Sequence, residues 1–313
     1  MPSAENLFLL VISMLALDSF RSIRFAWMHI ISRLTGKSLN SFYYTLSYAA
    51  FDHLRWTAIT ARLVLSCIPV SLRDSAVFLS IDDTLVEKYG TKFQAHSNLF
   101  DHAAHNGSNY LKGHCFVSLM LHVPLKSADG ITYLSVPLGC RKVITNLWKG
   151  RTVYACVTAT DPGKPGSFRL FLCTAAPEDI AVEPEKQAEE KICRYNTWGM
   201  LPLGLFSLRW NIEISYYETK TFWSFRDYMV RSVQGIERLS NLICISYAAV
   251  RMLPYYSKEF QKYQGQSPQE IRYQLGEKIR MNIIIHSLGQ TIETIKKYSS
   301  LKTAFQELMH NCG

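Results

Sequence analysis

Ala76-Val77-Phe78-Leu79-Ser80-Ile81-Asp82-Asp83-Thr84 is the stretch at which the chain changes its hydrophobic period. Upstream, apolar residues recur every three or four positions. From Ala76 to Ile81 they run together, as in a short buried strand, and then meet two carboxylates. Two more strand-like runs follow at 114–123 and 131–136, joined by Ser127-Ala128-Asp129-Gly130, a turn by composition. Three consecutive strands with hairpin-like connections predict an antiparallel meander. A further strand pair is expected at 153–160 and 168–173, around the turn Asp161-Pro162-Gly163-Lys164-Pro165-Gly166. Residues 176–191, acidic and holding Pro177 and Pro184, read as a surface linker.

On the N-terminal side, residues 1–75 read as helices. The apolar run at 7–17 is too short for a bilayer, which needs about 20 residues. It follows Glu5 where a signal peptide has a basic segment, so a buried helix in a cytoplasmic protein is expected. Phe25, Met28, Ile31 and Leu34 keep helical spacing up to Thr35-Gly36-Lys37. The pattern restarts after Ser38, an N-cap residue, through Leu39, Phe42, Tyr43, Leu46 and Ala49. Such a pair is either an ordinary helical hairpin or a DNA-reading helix-turn-helix with Asn40, Ser41 and Tyr44 outward. From Leu203 the helical period returns. Breaks at 232–235, Pro254, 265–268 and Gly289 predict four helices. The order predicts an α+β protein with three regions: helical 1–75, a mixed core at 76–230 with a β insertion near 152–175, and helical 231–313.

Hydrophobic residues make up 48% of the 313 and charged ones 19%, which excludes intrinsic disorder. The eight cysteines contain no C-x-x-C pair, so reduced thiols are expected rather than a zinc ribbon or a disulfide framework. The net charge of +9 is uneven. Residues 1–75 hold seven Lys/Arg against four Asp/Glu, and residues 231–313 hold eleven against six. Basic ends around a balanced centre suit a polyanion such as DNA.

Two constellations can carry chemistry. Asp82 and Asp83 are neighbours on a strand, so they point to opposite faces and only one can serve a given site. Phe206, Arg209, Glu213 and Lys220 are spaced by three, four and seven, which places them on one helix face. Trp210, Ile212, Ile214, Tyr216, Tyr217 and Phe222 surround them, so the helix is packed and its charged stripe borders a site. There, Glu213 would ligate a metal while Arg209 and Lys220 hold phosphate oxygens. His96, His102, His105 and His114 form a third grouping, whose spacing allows zinc without any cysteine motif beside it.

Arg209-Trp210-x2-Glu213 with Lys220 seven residues on resembles the Y-x2-R-x3-E-x6-K signature of bacterial insertion-sequence DDE transposases, with Phe206 in place of the tyrosine. Ile81-Asp82-Asp83-Thr84 is similar to the segment bearing that family's first catalytic aspartate. The resemblance spans the chain from about residue 20 onward. It implies a ribonuclease H-like core, Mg2+ or Mn2+ held by Asp82 or Asp83 with Glu213, and DNA cleavage and strand transfer by phosphoryl transfer. Transposon ends and target DNA are the implied partners, with a homodimer as the working form. A metal-free DNA-binding regulator using residues 1–75 is the rival reading.

The resemblance also requires a second aspartate on a fourth strand reached through a helix. A crossover of that kind takes about a dozen residues or more. Residues 139–151 hold no acid at all. Asp161 is the nearby substitute, in what reads as a hairpin turn. The expectation is therefore an internally deleted transposase with a partly incomplete core and little cleavage.

Overall fold

The computed structural model describes residues 2–101, 110–127, 130–142, 154–159, 168–173 and 201–311. It is a mixed helix and antiparallel-sheet protein, the α+β class expected. α1 (Pro2–Ala16) is the apolar N-terminal run, and its Leu10, Met14 and Ala16 are buried. α2 begins at Ile23–Ala26 with Ser22 Oγ accepting the Phe25 N–H, widens into a π-helical turn at Trp27–Ile31 and ends at Ser32–Leu34. The indole of Trp27 donates to the Lys37 carbonyl at 3.0 Å and so closes the glycine-containing turn. α3 (Leu39–Ser47) follows Ser38, whose backbone is extended as at an N-cap; its hydroxyl makes no cap bond. Asn40 and Tyr44 are exposed as expected, whereas Ser41 is half-buried and donates back to the Ser38 carbonyl. α4 (His53–Ser66) is capped by Asp52, which accepts the Arg55 N–H.

β1 (Phe78–Glu87), β3 (Tyr110–Ser127) and β4 (Gly130–Lys142) form the antiparallel meander, with β3 central. β2 (Ser97–Phe100) pairs with the first residues of β3, where Gly113 stands opposite Glu87 on one side and Ser97 on the other. A Cβ on Gly113 would lie 2.2 Å from the Val86 carbonyl oxygen, so this close approach admits only glycine. The strands are longer than their apolar runs. β1 does not end at Ile81: β3 keeps pairing with it through Asp82–Ser118 and Asp83–Val117 to Glu87–Gly113. Backbone hydrogen bonds to a long partner hold polar residues in a strand that their own propensity would not extend. β5 (Tyr154–Ala159) and β6 (Phe168–Cys173) pair as the separate hairpin expected.

Three helices follow: α5 (Leu201–Phe222), α6 (Val233–Tyr256) and α7 (Pro268–Asn311). Breaks do fall near the two expected places, but the first precedes 233–235: α6 already begins at Val233, where Ser232 Oγ accepts the Gly235 N–H at 3.2 Å, and α7 begins at Pro268. Pro254 and Gly289 do not break their helices, which corrects the expected four. Pro254 lies in the last turn of α6, which ends two residues later at Tyr256. An internal glycine costs about 1 kcal/mol relative to alanine, too little to end a helix of this length.

The sheet is covered on both faces. Met120 packs on Ile212 and Tyr216 of α5, while Leu121, Val123 and Leu125 point the other way, onto Val64 of α4 and Ala248 and Met252 of α6. A larger cluster joins Leu10, Phe42, Phe116, Phe225, Ile236 and Ile271, drawing on all three regions read from the sequence. Asn241 of α6 ties helix to sheet: its amide accepts from the Cys140 N–H at 3.2 Å and donates to the Cys140 carbonyl at 2.8 Å. No helix among the described residues is long and apolar enough to cross a membrane.

His122 lies at the centre of β3, fully buried, with Nε2 2.8 Å from Ser80 Oγ and Nδ1 2.8 Å from Ser135 Oγ. Burial, helped by the nearby Arg251 charge, pushes its pKa down from 6.5 to about 4. The unfolded chain therefore takes up a proton that the folded chain refuses as pH falls from 6.5 to about 4. Stability from this group is complete above that window and lost through it, by about 2–3 kcal/mol. Urea unfolding should show that much more acid destabilisation in the native sequence than in His122→Gln. Equal pH profiles would contradict this.

Candidate carboxylate site

The alternation of β1 separates its two aspartates. Asp82 and Thr84 share the sheet face that α5 covers, and Asp83 points to the opposite face. Asp83 Oδ2 instead accepts from Cys115 Sγ at 3.4 Å. Burial and the Asp83 carboxylate push the Cys115 thiol up to about 12, so it stays protonated and is no nucleophile. The sequence left Asp82 and Asp83 open; the geometry brings only Asp82 to α5.

Arg209, on α5, joins the two acids. Its Nη1 donates to Asp82 Oδ2 and its Nη2 to Glu213 Oε1, both at 2.5 Å. One planar fork thus holds an oxygen of each carboxylate, keeping those two oxygens within about 8 Å of each other. The Glu213 contact is local, one helical turn away. The Asp82 contact spans 127 positions of sequence and exists only because α5 packs along β1. Burial pushes the Asp82 carboxyl above its ordinary range, while the Arg209 charge pulls it back. The two effects oppose each other because the guanidinium replaces part of the hydration that packing removes.

Below this pair, α5 is bolted to the strand. The Tyr216 hydroxyl donates to the Asp82 carbonyl at 2.6 Å, and Lys220 Nζ donates to Thr84 Oγ1 at 2.6 Å and to the Leu85 carbonyl at 2.9 Å. Burial lowers the Lys220 pKa and raises that of Tyr216. Lys220, expected to hold a phosphate, is therefore engaged with β1, where it fixes the register between helix and strand. Tyr216 is the site residue that motif reading passed over as one more packed aromatic. Its spacing was the signal, since it lies three residues after Glu213 and four before Lys220 on the same stripe.

The remaining candidates fall elsewhere. Phe206 lies on α5 one turn before Arg209, but its side chain is outside the described residues, as is Asp161 between β5 and β6. His102 and His105 are likewise outside them. His114 is buried and engaged on both ring nitrogens, with the Tyr228 hydroxyl at 2.6 Å and the Gln94 carbonyl at 3.0 Å. A histidine held that way serves the core. Among the described residues, no cluster of three or more His, Cys, Asp or Glu is placed to hold a metal ion. No protein-family model, curated protein or solved structure matches the chain.

Proposed function

We propose that this chain is a transposase-like DNA-binding protein on a ribonuclease H-like core, in which metal-assisted strand cleavage and strand transfer are weak or lost. The observation that carries the reading is the convergence of Asp82 and Glu213 on Arg209. Two motifs far apart in sequence, each similar to a separate part of one family's signature, meet at one point. The meander with Asp82 on its first strand, and α5 across the face that Asp82 occupies, supports the same core.

The donor set fits a single divalent ion. Asp82 and Glu213 offer hard carboxylate oxygens converging on a positive group, the arrangement that Mg2+ or Mn2+ takes. Such an ion, when bound, supplies a Lewis acid for a phosphoryl oxygen. Arg209 already pairs with one oxygen of each acid, so an ion has to displace the guanidinium before it can bind. Among the described residues no third carboxylate joins the pair. The outer edge of β1 also has no strand partner among them, and Leu79 and Ile81 are 62% and 63% exposed. These features favour the rival reading for the present-day protein: a DNA-binding regulator derived from a transposase, keeping the fold and little of the chemistry.

A strand-nicking assay on supercoiled DNA with Mg2+ or Mn2+ tests the proposal, comparing the native sequence with Asp82→Asn, Asp83→Asn, Glu213→Gln and Asp161→Asn. Misplaced catalytic groups cost on the order of 100-fold in rate, so cleavage is expected to be slow or undetectable. Any residual nicking should vanish in Asp82→Asn and Glu213→Gln and persist in Asp83→Asn. Robust nicking abolished by Asp161→Asn would establish a second acid and overturn the impaired-site reading. Absence of DNA affinity at low salt would end both readings.

A further inference from the structure

Well apart from the carboxylates, a cavity of about 560 Å3 opens between the tip of the β3–β4 hairpin, the last turns of α6 and the turn at 263–266. Its volume lies within the roughly 300–1,000 Å3 of small-molecule sites. Two cationic side chains, Arg251 and Lys126, line it, and no carboxylate does so among the described residues. Arg251 is half-buried, and its Nε donates to the Ser135 carbonyl at 3.2 Å. That bond anchors the arm and leaves the two terminal amino groups of the fork as donors.

Tyrosine rings share the rest of the wall with aliphatic and amide side chains. Tyr133, Tyr255 and Tyr263 line it, and two of these rings are held by neighbours. Tyr133 packs against Phe78 at 5.5 Å between centroids, and Tyr263 against Phe260 at 6.0 Å. Lys262 Nζ sits 5.0 Å from the Tyr263 ring centroid, adding a third positive charge nearby. Gln264, also on the lining, is tethered by its amide to the Pro254 carbonyl at 3.2 Å. An anchored guanidinium beside a second cation suits a phosphate, and planar rings suit a flat heterocycle.

We propose that this cavity binds a mononucleotide unit, with its phosphate monoester between Arg251 and Lys126 and its base against the tyrosine rings. A phosphate monoester carries about −1.5 to −2 charges, which two side-chain cations balance. With no carboxylate among the described lining residues to bring in a divalent ion, binding is independent of metal. The unit has two possible sources of one chemistry: a free nucleotide, or the 5′-phosphorylated end of a DNA strand.

Calorimetric titration of the full chain in excess chelator with AMP, adenosine and inorganic phosphate tests this. AMP is expected to bind at least about tenfold more tightly than adenosine or phosphate, since each alone forgoes half of the contacts. Arg251→Gln should weaken AMP binding by about 10- to 100-fold, the range for hydrogen bonds to a charged partner. Because Arg251 also braces β4, the exposed Lys126→Gln provides a second variant that leaves folding intact; it should weaken AMP by several-fold. Glu213→Gln should change nothing. Equal affinity for AMP and adenosine, no AMP binding, unchanged binding in both cavity variants, or a loss in Glu213→Gln would each overturn the proposal. Displacement of AMP by a 5′-phosphorylated oligonucleotide identifies the strand end as the source, and failure to displace it identifies the free nucleotide; AMP binding supports the site in either case.

Discussion

Affinity for duplex DNA should fall about a thousandfold between roughly 50 and 200 mM salt, the loss for a protein that neutralises about six phosphates. The groups that would do this are in the N-terminal helices and the turn after them. Arg21, Arg24, Arg33, Arg55, Arg62 and Arg73 are all exposed, and none forms an ion pair among the described residues. The C-terminal region contributes less than its +5 suggests. Arg238 is buried against the Thr45 and Leu46 carbonyls, Arg272 is buried, and Arg280 and Lys278 are paired with Asp18 and Glu259. Arg55 and Arg62 lie seven residues apart on one side of α4. Replacing both with glutamine should lower the slope of log affinity against log salt by about 2, at nearly 1 per phosphate contact. Filter binding or fluorescence anisotropy across a salt series reads this directly. A binding constant indifferent to salt would remove the polyanion reading altogether.

Arg272→Ala should cost the fold about 4–5 kcal/mol, judged from the carbonyls it strands. Arg272 is 2% exposed although charged, and it sits where three helices meet. Its Nε and Nη2 donate to the Met14 carbonyl at 3.2 and 3.1 Å, its Nη1 to the Phe222 carbonyl at 2.7 Å, and Nη2 also to the Leu17 carbonyl. Its guanidinium lies 4.7 Å from the Trp223 ring centroid. The carbonyls in a helix's last turn have no partner inside the helix, so this one fork caps both α1 and α5 while being carried by α7. Alanine leaves one buried and two half-buried carbonyls unpaired at about 1–3 kcal/mol each, partly offset by relaxation. Against a typical stability of about 5–15 kcal/mol this is a large share. Lysine should recover less than half, since one ammonium cannot reach all three oxygens. Urea denaturation measures both; an alanine variant within about 1 kcal/mol of the native chain would contradict the capping account.

Much of the fold was legible because it rests on local physics. The change of period at Ala76 announced the meander, the β5–β6 pair followed from the Pro-Gly composition between its strands, and Ser38 marked a helix start. The stripe of Arg209, Glu213 and Lys220 on one helix face followed from 3.6 residues per turn. Strand ends were not legible. The apolar run stops at Ile81 with the acids at its end, whereas β1 continues to Glu87 because residues some 30 positions away on β3 supply the hydrogen bonds. Charge was legible as a sum and misleading as a location, since a sequence cannot distinguish an arginine that meets solvent from one that caps two helices.

What the sequence by itself determined is the set of chemical possibilities: an α+β chain, a carboxylate doublet of which only one member can serve a given face, and a helix carrying Arg, Glu and Lys in register. Tertiary structure alone decided that Asp82 is the member facing α5, that Arg209 is shared between it and Glu213, and that Lys220 holds β1. The reason is one of range. Periodicity within an element is set by backbone geometry a few residues long, whereas the pairing of Asp82 with Arg209 depends on which face of β1 is buried. Burial of that face is settled by Met120, Ile212 and Tyr216 packing together across the sheet, far from either motif in sequence.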